Sequence, residues 1–192
     1  MAIIGLKDLH YAVVETEDES VTTYGDVKVL GPAIALNLTP EINTENLPAD
    51  DAILFTETSK GATTVELNTA YLTEEVEAEV LGKTLDEHGG ILDGKDDRAP
   101  YIAIGGRSKS ARGGYEWFWI YRVKLAPSEE NKETQGDTPE YQTPTISGES
   151  LPRLHDGAER YKLWDGNETI TDETIFDEWF NEVIDADWAP GV

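Results

Sequence analysis

Tyr-Ile-Ala-Ile-Gly-Gly-Arg-Ser-Lys-Ser-Ala-Arg-Gly-Gly-Tyr-Glu-Trp-Phe-Trp-Ile-Tyr-Arg-Val-Lys-Leu, residues 101–125, decides the fold class of this chain. Its two ends are rich in β-branched and aromatic residues, which suit the pleated, half-buried surface of a sheet. Tyr101 to Ile104 and Tyr115 to Leu125 read as strands. The glycine-rich stretch Gly105 to Gly114 joins them, giving a long hairpin with a flexible basic tip. In the second strand Tyr115, Trp117, Trp119 and Tyr121 alternate with Glu116, Phe118, Ile120 and Arg122, so one face is an aromatic row. Phe118 and Ile120 are apolar too. The strand therefore reads as buried on both faces, in a sandwich core or at a contact between copies. Exposed, the same row would be a platform for sugars, and a carbohydrate-binding or adhesion module is the alternative.

Outward from this hairpin the chain remains strand-rich. Leu6 to Val14 and Val27 to Leu30 read as strands. Ala33 to Thr39 alternates cleanly between Pro32 and Pro40. Asn43 to Asp51 reads as loop, and Ile53 to Glu57 and Thr63 to Thr69 as strands around a turn at Lys60-Gly61. Thr73 to Leu81 reads as a short helix. Thr73 is its cap, Glu74 and Glu75 sit at the positive end of its dipole, and Gly82 stops it. Ser128 to Pro144 is polar and turn-rich, so it reads as an exposed loop. Thr145 to Gly148 and Arg160 to Trp164 are further strand candidates. Thr171 to Ile184 is the strongest helical pattern, with Ile175, Trp179 and Val183 on one line and Phe176, Phe180 and Ile184 on the next. The expected fold is mainly β, an antiparallel β-sandwich or barrel-like domain over residues 1–150, with a short flanking helix. Residues 151–192 form an acidic extension carrying the C-terminal helix, packed on the same domain.

The chain has 192 residues, enough to bury about 70% of its unfolded surface. It has no cysteine, which excludes disulfides and thiolate chemistry. Its 39 acids and 15 bases leave a formal net charge of −24, which opposes free attraction to DNA or an anionic membrane. Ser128 to Val192 holds 17 acids against 4 bases, whereas Ile91 to Pro127 holds 4 acids against 7 bases. Such asymmetry suits packing between copies, or a solvated acidic tail. No apolar run is long enough to span a membrane, and no signal peptide is expected.

Candidate chemistry is thin. Gly105 to Gly114 lacks the Gly-Lys-Ser/Thr spacing and following helix of a phosphate-binding loop. Its Arg107, Lys109 and Arg112 read as a basic contact between subunits. Asp93, Asp96 and Asp97, like Asp165, Asn167 and Glu168, lack the ligand register of a calcium loop and read as surface turns. His10, His88 and His155 are scattered, with no metal-ligand spacing. No Gly-x-Ser-x-Gly elbow is present. A hydrolase using paired acids would need a pocket that sequence does not show. No catalytic, cofactor or metal residue is expected.

The order of segments resembles the major tail protein family of long-tailed siphophages. The matching pieces are Gly5 to Ala12 (Gly-Leu-Lys-Asp-Leu-His-Tyr-Ala), Leu47-Pro48-Ala49-Asp50-Asp51 and Val65-Glu66-Leu67-Asn68. Leu81-Gly82, Ala99 to Gly105, Trp119 to Lys124 and Glu133 to Thr145 follow in the same order. The resemblance covers about residues 3–150 and, more loosely, the Trp179-Phe180 segment; Leu151 to Asn167 departs most. It implies a β-sandwich with a flanking helix, six copies in a ring, and rings stacked into a tail tube that conducts DNA at ejection. It implies no catalysis and no cofactor. It also implies a home in the virion tail, after assembly in the bacterial cytoplasm. Partners would be other copies of the chain and the tape measure, distal tail and terminator proteins, with DNA passing unbound through the lumen. Asn43 to Lys60 resembles the family's stacking loop, whose tip, Leu47, Pro48, Ala49, Asp50 and Asp51, would touch the next ring.

Overall fold

The computed structural model describes residues 2–49, 52–127, 134 and 142–189. In chain order its elements are β1 (Ile3–Glu17), β2 (Thr22–Tyr24), β3 (Lys28–Gly31), β4 (Ala33–Ala49), β5 (Ala52–Thr69) and α1 (Glu74–Leu81). β6 (Thr84–Leu85), β7 (Ile91–Leu92), β8 (Tyr101–Ser110), β9 (Tyr115–Ala126), β10 (Thr145–Ser150), β11 (Arg160–Trp164) and α2 (Ile175–Glu178) follow. The main sheet runs β2-β1-β8-β9-β10-β5-β4, with β3 beside β1 and β11 beside β9, and its ladders are antiparallel. The expected mainly-β, sandwich or barrel-like class is what is observed.

Strands β8 and β9 are the centre, and they are buried on both sides. Ile102, Ile104, Phe118 and Ile120 enter one apolar cluster with Leu9, Tyr11, Val65 and Leu67. Ala103, Trp117, Trp119 and Tyr121 enter a second cluster with Ile175, Trp179 and Ile184. A simple period of two does not hold along all of β9. Ile102 pairs with Val123 but Ile104 with Ile120, so two steps on β8 oppose three on β9. This bulge changes which parity faces which side. Val123 and Leu125 thereby join the same cluster as Phe118 and Ile120.

The glycine-rich stretch is mostly strand, not loop. Gly105 pairs with Trp119 and Gly106 with Phe118. A Cβ on Gly105 would sit 2.7 Å from the Trp119 indole, and one on Gly106 would sit 2.9 Å from the Phe118 ring. The two glycines make room for one large ring on each face of the sheet. The turn of the hairpin is confined to residues 111–114.

Three other expectations are corrected. Pro40 does not end its strand, the described part of the expected loop (residues 43–49) is strand, and Lys60-Gly61 is not a turn. Strand β4 runs unbroken to Ala49, and β5 runs back from Ala52. β4 lies at the edge of the sheet, where prolines cost fewest ladder bonds. Pro40 pairs with Thr63 and Ile42 with Lys60, so Gly61 lies in a bulge. The Glu41 side chain lies across it, 2.9 Å from where a Gly61 Cβ would be.

Helix α1 forms as its sequence suggests. Thr73 accepts a bond from the Val76 amide, acids fill the first turn, and Gly82 ends the helix in the left-handed region at φ 66°. The C-terminal helix is much shorter than expected, only Ile175–Glu178. Asp172 accepts from both the amide and the hydroxyl of Thr174, a local bond that competes with helix start. Glu178, Glu182 and Asp185 load the C-terminal side with negative charge, which the helix dipole disfavours. The apolar stripe survives without the helix: Ile175, Trp179 and Ile184 are all buried on the β9 aromatic row.

Candidate assembly surfaces

The outer half of the β4–β5 hairpin is a bare two-stranded arm. Residues 41–48 and 53–60 are exposed throughout. Nine residues of strand reach about 30 Å. Ile42, Leu47, Ile53, Leu54 and Phe55 are each about 60% exposed. Leu47 pairs with Phe55 and Pro48 with Ile53, with Leu54 in a bulge, so the apolar groups gather toward the tip. Behind them Glu45 lies directly opposite Glu57. Opposed like charges destabilise a ladder, and neither carboxylate has a cation partner among the described residues. Of the expected tip contacts, Leu47 and Pro48 are in the described arm, Ala49 only by its backbone, and Asp50 and Asp51 lie outside the described residues. Most of Glu133 to Thr145 also lies outside them.

The expected basic contact is dispersed. Arg107 Nε donates to Asp8 Oδ2 at 2.6 Å, and its guanidinium lies 4.7 Å from the Trp117 ring centre and 4.9 Å from that of Tyr115. Asp8 has φ 56° in a bulge of β1, so an unusual backbone presents this carboxylate. Arg112 stacks 4.2 Å over Trp164, whose indole N–H donates to the Gly113 carbonyl. Asp165 accepts from the Tyr115 amide. The hairpin tip is thus pinned within its own chain, and of the three Lys109 and Arg112 are exposed without an ion pair among the described residues.

The C-terminal segment covers the aromatic row. Trp117 lies 5.7 Å from Trp179, 5.4 Å from Phe176 and 5.5 Å from Phe180 between ring centres. The Trp119 indole donates to the Trp179 carbonyl at 3.2 Å, and Tyr121 Oη donates to the Ile184 carbonyl at 3.1 Å. Arg153, only 5% exposed, ties this layer down: it donates to Asp156 and Asp185 and lies 4.0 Å over the Tyr121 ring. Sequence reasoning gave Arg153 no role: Asp156 is a local partner, but Asp185 and Tyr121, which fix it in this layer, are distant in sequence. The Tyr24 hydroxyl, beneath the same layer, is pushed up to about 12 chiefly by burial.

Helix α1 is held by a second polar knot. Tyr11 Oη and Lys28 Nζ both donate to the Glu79 carboxylate, the lysine at 2.7 and 2.9 Å. Burial raises the Glu79 carboxyl, but the bonds from Lys28 and Tyr11 outweigh it and hold it below its usual range. Asp93 pairs with Lys83 at 2.7 Å, and Asp97 accepts from the Gly94 amide. Among the described residues no group of three or more His, Cys, Asp or Glu converges as a metal site. Nor is any helix among them long and apolar enough to cross a membrane.

One groove of about 320 Å³ opens beside the base of the arm. Leu36 and Leu38 of β4 line it with Leu6 of β1 and Phe118 and Ile120 of β9, and exposed Arg160 and Lys162 of β11 border it. Lys162 pairs with Glu116 at 3.3 Å, while Arg160 has no ion pair among the described residues. Comparison with protein-family models and with curated proteins finds no match for this chain.

Proposed function

We propose that this chain is a structural protein that polymerises as the tail tube of a long-tailed bacteriophage, in stacked rings of six copies. The observation that carries this reading is the bare arm. A two-stranded hairpin is marginal alone in water, and one with five exposed large apolar side chains invites a partner. The free edge of β4 is a second pairing surface, a liability in a monomer and an asset in a ring. Head-to-tail contacts of arm and body repeat without closing, which builds filaments. An acidic lumen would let DNA slide past without releasing counterions. The adhesion reading needs an exposed aromatic row, and Trp117, Trp119 and Tyr121 are buried beneath the C-terminal segment.

Electron microscopy of the concentrated protein, with sedimentation, tests the proposal. Tubes or six-fold rings are the expected result. A monomer at every concentration and salt would overturn it.

A further inference from the structure

We infer that the arm tip of one copy docks in the groove between β4 and β11 of another copy, with Glu45 and Glu57 meeting Arg160. This rests on the tube reading and names the receiving surface within it. Each side lacks what the other offers. The tip presents Leu47, Ile53, Leu54 and Phe55 to water. The groove is floored by apolar side chains from three strands. Behind the tip stand two opposed carboxylates with no cation among the described residues, and at the groove's border stands a guanidinium with no anion among them. Arg suits this position, since its planar fork can serve two carboxylates at once.

The geometry excludes self-docking. The groove borders Ala35–Leu38 at the base of β4, and the tip lies at the far end of the same strand, about 30 Å away along a paired ladder. Only another copy's tip can reach it. Tip and groove are different surfaces, so the contact is heterologous and repeats from copy to copy.

The chain's lack of cysteine makes cross-linking a clean test. Phe55→Cys in one preparation and Ile3→Cys, at the groove and 47% exposed, in a tagged second preparation are mixed and oxidised. A disulfide-linked heterodimer is expected in the assembled fraction and not in dilute monomer. In parallel, Arg160→Glu should raise the concentration needed for assembly by about tenfold or more, as loss of a desolvated charge pair does. Glu57→Arg in the same chain should restore much of it. Tubes that form normally with Arg160→Glu and give no heterodimer overturn this docking and leave the tube reading intact. Absence of any polymer from the unmodified chain overturns both.

Discussion

Gly105 lies directly beneath the indole of Trp119, its cross-strand partner, with no room for a methyl group between them. The pair sits at the centre of the sheet, where the ring is fully buried. Replacing Gly105 with Ala forces the indole or the strand to move. A loss of about 1 to 3 kcal/mol is expected, as overpacking of a tight core gives. Denaturant melts of the dilute protein check this. An unchanged midpoint would return Gly105 to the loop that its sequence context suggests.

That misreading shows where legibility ends. Strand-forming residues and their alternation were readable at both ends of residues 101–125, and the cap and stop of α1 were readable from Thr73 and Gly82. Gly-Gly-Arg-Ser-Lys-Ser looked like a loop because glycine favours turns. Its role as a seat for Trp119 and Phe118 depends on pairing register, which local sequence does not encode. Pro40 and Pro48 misled for a related reason: at a sheet edge a proline does not break the ladder. The aromatic stripe of residues 175–184 was legible as buried, but its backbone form was not. The groove was illegible, since β1, β4, β9 and β11 reach it from distant parts of the chain.

Trp179 is fully buried against Trp117, Phe176 and Tyr161. Trp179→Ala should cost about 3 to 5 kcal/mol in the unassembled protein, as loss of a large buried aromatic does. The check is a denaturant titration at a concentration too low for assembly. No change there, with assembly lost, would mean that this layer is held by a neighbouring copy.

Phe55 makes the opposite case. It is 64% exposed and far from either core cluster. Phe55→Asp should leave monomer stability within about 0.5 kcal/mol, as exposed sites do, and should abolish polymerisation. Deleting residues 47–51 should do the same. Normal tubes from either variant would remove the arm from the assembly surface.

Glu79 sets an acid-sensitive step. Its folded carboxyl titrates below the ordinary value of 4.5. Its contribution is therefore present above about pH 4.5 and lost as pH falls through the lower folded value. Glu79→Gln should lower stability near pH 7 and narrow its gap to the unmodified protein as pH drops below 4. Comparing the two proteins at each pH cancels the shared discharge of the other acids. A gap constant from pH 7 to 3 would show that the knot with Tyr11 and Lys28 does not favour the charged form. At the alkaline end Tyr24 is raised, so its contribution is complete below about pH 10 and fades as pH climbs through about 12.

Salt separates the two electrostatic scales in this protein. Each copy carries a formal charge of −24, so approach of one copy to another is opposed at long range. That repulsion is screened within about 10 Å at 0.1 M salt. A contact of Arg160 with Glu45 and Glu57, closed from water by the tip and the groove, is screened much less. Polymerisation of the unmodified chain should therefore speed up as salt rises from about 10 to about 150 mM. Arg160→Glu makes each copy more negative and removes the local attraction, so its assembly should be slower throughout and depend more steeply on salt. Light scattering after a concentration jump reads both. If the unmodified chain instead assembles more slowly as salt rises, attractive pairs between copies outweigh the net repulsion, and the acidic excess is not the barrier to assembly.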